Sequence, residues 1–175
     1  MLTRVMGSQV APPEPDNANA AEDTALRILR GAGQSSASLQ RKLERRGYTG
    51  DAAAEAVRRC REAGYINDAA LATSVAARHR RSGHGRARVA ADLKARGVAE
   101  DIIIEALEGQ SDSEEAAALA VAQQLWNRAG SPDSRHQKAR MRVAGALQRR
   151  GFSSALVIRV MRGLDEGTAP TTPGR

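Results

Sequence analysis

Apolar residues along this chain recur every three or four positions rather than every second one, the period of a helix with one buried face. At three places the pattern is the same. An aliphatic residue is followed four positions later by leucine, then by Arg-Gly and a large apolar residue: Leu39–Leu43–Arg46–Gly47–Tyr48, Val89–Leu93–Arg96–Gly97–Val98 and Val143–Leu147–Arg150–Gly151–Phe152. The aliphatic pair sits on one helix face, and the glycine after arginine predicts a left-handed helix stop. The match continues without gaps, with Ala53, Ile103 and Val157 at one offset and Val57, Leu107 and Met161 at another. A period near fifty residues predicts an array of similar helical units.

Caps and stops place nine helices. The first is expected near Thr24–Arg30, the second from Ser35 or Ser36 to Gly47, and the third from an Asp51 cap to Gly64. Asn67 or Asp68 caps a fourth ending near Arg81, with a fifth at Arg86–Arg96 and a sixth at Glu100–Leu107. A capping box of Ser111 and Glu114 opens the seventh, which runs to about Arg128, and Ser131-Pro132 opens the eighth, running to Arg150. The ninth spans about Ser154–Arg162, and no segment reads as a strand. The prediction is an all-α chain of three tandem three-helix repeats, at 23–66, 67–109 and 110–164, between disordered tails at 1–22 and 165–175.

Composition changes this picture little. Four aromatics (Tyr48, Tyr65, Trp126 and Phe152) rule out a large aromatic core, so thin alanine-rich layers must gain burial from their neighbours. No run approaches the length of a membrane span, and Met1 to Ala21 has no apolar core of a signal peptide. With Cys60 as the sole cysteine, the expectation is a cytoplasmic monomer that uses no membrane.

Charge changes it more. The net charge is +7, but from Gly97 to Asn127 there are seven acids and no Lys or Arg, and from Ser134 to Arg162 eight basic residues and no acid. Such segregation suits a partner presenting both signs of charge.

No catalytic, metal-ligating or cofactor-binding constellation emerges. His79 and His84 flank a glycine turn, His136 is remote, and Gly83-His84-Gly85 and Gly31-Ala32-Gly33 lack the setting of a phosphate loop. No small-molecule substrate and no enzyme activity are expected. Cys60 lies among Arg58, Arg59 and Arg61 and reads as a small packing residue.

The arginines fall into two kinds. At about 100° per residue, Arg150 follows the apolar stripe of its helix, as do Arg46 and Arg96 in theirs, so a structural role is expected. Arg135, Lys138, Arg142 and Arg149 fall instead between about −80° and −140° from Val143, one basic flank beside that stripe. A second cluster, Arg80, Arg81, Arg86 and Arg88, surrounds the turn carrying His84. These are the candidate partner- or DNA-binding residues. No aromatic is interleaved with them, which disfavours base stacking.

Ala63-Gly64-Tyr65-Ile66-Asn67-Asp68-Ala69-Ala70-Leu71-Ala72 resembles the glycine–aromatic–aliphatic–Asp/Asn–Asp stretch entering the second repeat of the RecX family, bacterial regulators of RecA recombinase. Gly64, Tyr65 and Asp68 carry that match. Ala25-Leu26-Arg27-Ile28-Leu29, the Leu39–Leu43 helix, Arg78, the turn at Gly83–Gly85 and Arg149-Arg150-Gly151-Phe152 extend it over about Thr24 to Leu164. The resemblance implies an elongated, curved array of three-helix repeats. It also implies a non-enzymatic, mainly inhibitory modulator that docks in the groove of a RecA–DNA filament and damps ATP hydrolysis, strand exchange and co-protease activity. The alternative is a protein that binds nucleic acid directly through tandem helical modules.

Overall fold

The computed structural model describes residues 14–31, 33–108, 111–129 and 136–165. Among them are nine helices and no strand: α1 (Ala18–Leu29), α2 (Ser36–Glu44), α3 (Gly50–Glu62), α4 (Asp68–Arg81), α5 (Arg86–Ala95), α6 (Glu100–Leu107), α7 (Ser111–Ala129), α8 (His136–Arg149) and α9 (Ser154–Asp165). They fall into two compact units, one holding the chain up to Leu71 with Ala95–Ala99, the other Ala72–Lys94 with everything from Glu100.

The repeated offsets are the buried ones. Leu43, Leu93 and Leu147 are fully buried, and so, nearly, are Leu39, Val89 and Val143 before them, and Tyr48, Val98 and Phe152 after them. Ala53, Ile103 and Val157, with Val57, Leu107 and Met161, supply the facing layer. Gly47, Gly97 and Gly151 all have φ between 78° and 93°, the left-handed conformation that stops a helix. At two of these stops the second residue completes the Schellman pattern: the Tyr48 N–H donates to the Leu43 carbonyl at 3.3 Å and the Phe152 N–H to the Leu147 carbonyl at 3.2 Å.

In the first unit α1 packs chiefly on α3, and small residues make that approach close: Ala21 and Ala25 share a core with Ala52, Ala53 and Ala56. Tyr48 anchors the layer, its hydroxyl 2.9 Å from both Thr24 Oγ1 and the Ala20 carbonyl. Cys60 is buried in the same core, and burial, then the charge of Glu22, pushes its thiol pKa up. The neighbouring arginines are engaged elsewhere: Arg58 and Arg59 both bind Glu55, whose carboxyl they hold down at about 2, Arg58 contributing most. In the second unit Ala118, Val121 and Ala122 of α7 close on Val143, Leu147, Phe152 and the α9 residues Leu156, Val157, Val160 and Met161.

Several ends differ from expectation. Helix α1 begins at Ala18, not near Thr24, because Asn17 caps it by accepting from the N–H groups of Asn19 and Ala20. Thr49, not Asp51, caps α3, leaving Asp51 in the first turn, where its charge suits the helix dipole. Ser35 caps α2 and the Asn67 side chain accepts from the Ala70 N–H at the start of α4. Helix α9 runs past Arg162 to Asp165. The Ser131-Pro132 start expected for α8, like Arg135, lies outside the described residues.

Candidate functional site

The two basic clusters separated in sequence meet in the second unit. The Gly85 N–H donates to the Arg150 carbonyl at 2.9 Å and the Ala87 N–H to the Gly151 carbonyl at 3.2 Å. The start of α5 thus satisfies carbonyls left over at the end of α8. The approach needs two glycines. A Cβ on Gly85 would lie 2.4 Å from the Gly151 oxygen, and one on Gly151 2.5 Å from the Arg88 nitrogen. Arg149 and Arg150 are thereby brought to the turn that carries His84, Arg86 and Arg88.

That turn is held from within. Asp92 Oδ2 lies 2.9 Å from Nε2 of the buried His79, whose Nδ1 lies 3.1 Å from Nδ1 of His84. One proton arrangement satisfies all three groups: His79 donates from Nε2 to the carboxylate and accepts at Nδ1 from His84. Arg78 Nη2 adds a contact of 3.2 Å to the same carboxylate oxygen. Burial first, and then the positive charges of the Arg150 and Arg88 guanidinium groups together with the nearby His79 ring whenever that ring is protonated, push the His84 pKa below the ordinary histidine value. The two guanidinium groups near it thus disfavour protonation of His84. Arg150 Nη1 reaches the Ser82 and Gly83 carbonyls at 3.3 and 3.4 Å, while Arg46 Nη1 donates to the Lys42 carbonyl of its own helix at 3.1 Å.

Arg80, Arg81, Arg88 and Arg149 are exposed, Arg86 half-buried. Lys138 and Arg142 are exposed on α8 too. At 1.5 Å rise per residue, Arg142 stands about 10 Å back along the helix from Arg149, and Lys138 about 6 Å further. The result is one cationic ridge running along α8 to the Gly83–Gly85 turn. Beside it Arg78, Arg88, Ala91 and Asp92 line an open depression of about 360 Å³.

Two carboxylates that read as helix-start charges have a further task. Asp68 Oδ1 accepts from the Ser36 N–H at 2.9 Å, and Glu114 Oε1, expected in a capping box with Ser111, accepts from the Arg86 N–H at 2.8 Å. Ser36 and Arg86 are equivalent positions of the first two repeats, each at the N-terminus of a second helix. A serine hydroxyl repeats the carbonyl contact as well: Ser35 Oγ donates to the Arg96 carbonyl, just before the stop at Gly97. So Asp68, one of the RecX-like positions, joins one repeat to the next. Gly64, at φ 76°, ends α3, and Tyr65 is 61% exposed.

Of the seven acids in the central run, Glu100, Asp101, Glu105 and Glu108 are exposed on or beside α6. Lys94 lies 3.8 Å from Glu100, and Arg159 3.1 Å from Glu115. Among the described residues no group of three or more His, Cys, Asp or Glu is arranged to hold a metal ion, and no helix is long and apolar enough to cross a membrane.

Comparison with known proteins agrees with this architecture. Residues 67–107 match the second three-helix domain of RecX and residues 112–161 the third. A regulatory protein RecX from Chlorobaculum tepidum is 35% identical over 135 residues, which span 77% of this chain and 81% of that protein. The chain belongs to the RecX family. A crystal structure of RecX from Lactobacillus salivarius superimposes with a TM-score of 0.75 at 20% identity, covering 85% of this chain and 97% of that one. A second crystal structure, of a regulatory protein RecX, gives 0.68 at 20% identity over 83% of this chain and 71% of the other. These establish the RecX fold of tandem three-helix units.

Within this RecX-family chain, sequence reasoning missed the Asp92–His79–His84 relay and the joining of the two basic clusters. His79 and His84 stand out in the sequence only as histidines flanking a glycine turn, and Asp92 does not stand out at all. The spacing of His79 and Asp92 marks no motif, because the pair depends on how α4 and α5 cross.

Proposed function

We propose that this chain is a non-enzymatic modulator, mainly an inhibitor, of RecA recombinase. It acts as a monomer in the cytoplasm, docking on the RecA–DNA filament and damping ATP hydrolysis, strand exchange and co-protease activity. The observation that carries the reading is a cationic ridge and a run of exposed acids on one RecX-family chain. A nucleoprotein filament offers phosphates and repeated protein surface together. In this reading Arg80, Arg81, His84, Arg86, Arg88, Lys138, Arg142 and Arg149 face phosphate or acidic protein surface, with Arg135 extending the series. Several weak modules along one filament gain avidity without any single tight contact. Inhibition requires tighter binding to an inactive filament geometry than to the active one.

The test is RecA-dependent ATP hydrolysis on single-stranded DNA with increasing amounts of the protein. Inhibition at or below equimolar ratio supports the proposal; unchanged hydrolysis up to that ratio refutes it. A second reading, direct binding of nucleic acid, is favoured by the ridge alone. It separates from the first at the acids of α6, which a plain DNA binder does not need.

A further inference from the structure

One titratable side chain, the half-buried His84, stands at the turn end of the ridge. Its Nδ1 lies 3.1 Å from Nδ1 of His79, whose Nε2 lies 2.9 Å from Asp92 Oδ2. With His79 donating to the carboxylate, the proton between the two rings belongs to His84. Nε2 of His84, on the far side of that ring, then carries a bare lone pair and can only accept. One added proton changes this wherever its charge settles. On His84 it occupies Nε2 directly. On His79 it occupies Nδ1, so His84 accepts there and carries its own proton on Nε2. Either way the outer nitrogen becomes a donor, and the two rings titrate as a unit.

The charges around the ring come from four elements. Arg80 of α4 and Arg86 of α5 line a narrow recess with His84, and Glu114 of α7 in the same recess accepts from the Arg86 N–H at 2.8 Å. Arg88 of α5 and Arg150 at the α8 stop act on the ring across the joint. Asp92, behind His79, is also met by Arg78 Nη2 at 3.2 Å. Guanidinium groups so placed oppose a proton while no anion is present and cease to oppose it once an anion sits among them.

We infer that His84 is a proton-linked ligand for a nucleic-acid phosphodiester. A backbone phosphate seats between the ridge and the Gly83–Gly85 turn, and the outer Nε2–H of His84 donates to it once the His79–His84 pair has taken up one proton. A phosphodiester keeps its single charge wherever histidine titrates, so the proton taken up on binding resides on the protein. From this turn the ridge runs on along α8 for about 16 Å to Lys138, which suits a linear run of phosphates better than an isolated carboxylate. Linkage is reciprocal: the anion raises the proton affinity of the pair by the factor by which the proton raises affinity for the anion. The inference rests on the part of the RecA reading that sets the ridge against phosphate, and adds that this contact strengthens as pH falls.

The test measures affinity of the full-length protein for a short fluorescent oligothymidine at fixed low salt, at about pH 7.5 and about pH 5.5, a window in which ordinary carboxylates stay ionised. Affinity should be about tenfold higher at the lower pH. His84→Gln should abolish that rise. His84→Arg, whose charge is permanent, should abolish it too while keeping the tighter binding, and it keeps the test decisive if glutamine loosens the turn. The His84 ring signal in the NMR spectrum, assigned by its loss in His84→Gln, should titrate at higher pH with saturating oligothymidine than without it. Five results overturn the proposal: an equal rise in parent and both His84 variants; a rise lost in His136→Gln and kept in His84→Gln; a His84 titration that the oligothymidine does not move; the same coupling with a polyglutamate peptide, which means an acidic protein surface; and no binding of the oligothymidine. No RecA is present, so absent coupling here and absent inhibition of RecA are separate outcomes, each refuting its own proposal.

Discussion

The joint between α5 and α8 makes Gly85→Ala the sharpest probe of the structure. The added methyl carbon would sit 2.4 Å from the Gly151 oxygen, 2.5 Å from its carbonyl carbon and 2.6 Å from the Phe152 nitrogen. All three are backbone atoms, so no side-chain rotation relieves the clash, and the helix start must back away from the α8 stop. Overpacking of this kind costs roughly 1–3 kcal/mol. Moving apart also loosens the Gly85-to-Arg150 and Ala87-to-Gly151 hydrogen bonds, at about 1 kcal/mol each. Together that is about 3–5 kcal/mol against a domain stability of roughly 5–15 kcal/mol. Thermal unfolding followed by circular dichroism should show the midpoint falling by about 10 °C. Gly50→Ala is the control. It lies at the first position of α3 with nothing within 4 Å of the added carbon, and alanine there should be neutral or stabilising by up to about 1 kcal/mol. Equal midpoints for Gly85→Ala and the parent would show that the two turns are not in contact, and the single cationic ridge would fall with them.

Reversing Arg135, Lys138, Arg142 and Arg149 to glutamate should weaken association with the filament or with DNA, most at low salt, and leave the melting midpoint almost unchanged; undiminished binding in a titration over salt would reduce the ridge to solvated charge. Arg150→Glu should do the reverse and lower stability first, because that guanidinium reaches the Ser82 and Gly83 carbonyls. Amidating the exposed acids (Glu100→Gln, Asp101→Asn, Glu105→Gln, Glu108→Gln) should reduce inhibition of RecA while sparing affinity for bare DNA, and equal loss of both would favour direct nucleic-acid binding. For His84 the folded pKa is depressed, so its contribution to stability is fully present above the ordinary value of about 6.5 and is lost as pH falls through the window below it. His84→Gln should flatten the fall in melting midpoint between about pH 7.5 and 5.5; an unchanged slope would place the titration elsewhere.

What the sequence made legible was local and periodic. The leucine–arginine–glycine pattern marks buried faces and left-handed stops because both are set within one or two turns of chain, and the structure has them at each copy. Helix starts were less secure where two capping residues stood close together. Thr49 and Asp51 compete for one end, and the threonine wins by accepting from the Ala52 N–H. Asn17 was overlooked because the alanines after it carry no amphipathic contrast. The RecX resemblance rested on order and spacing, and the sequence and fold comparisons agree with it. The joints between repeats were not legible at all. Nothing near Gly85 signals the Arg150 carbonyl, and nothing near Asp68 signals the Ser36 N–H, since such contacts depend on how helices far apart in sequence pack. The exposure of Met141 was not legible for the same reason: it depends on where α9 lies.

Those joints bear on how the chain handles anions. A helix N-terminus is ordinarily a good phosphate site, with unpaired N–H groups and a favourable dipole. Here the N-termini of α2 and α5 already hold carboxylates, Asp68 on the Ser36 N–H and Glu114 on the Arg86 N–H. The same ends also contact the Arg96 and Arg150 carbonyls at the stops of the following repeats. The backbone donors are therefore used to join one repeat to the next. At these two ends a phosphate must be met by side chains, and those near the start of α5 include the exposed guanidinium and ammonium groups of the ridge. Such contacts are long, solvated and individually weak, so affinity should depend steeply on salt and little on base sequence. Exchanging Glu114 for glutamine separates the two roles. If the N-terminus of α5 were a latent phosphate site, removing the carboxylate charge would raise affinity for DNA. If it serves only as a joint, stability falls and affinity does not rise, which is the expected outcome for urea unfolding and oligonucleotide binding measured side by side.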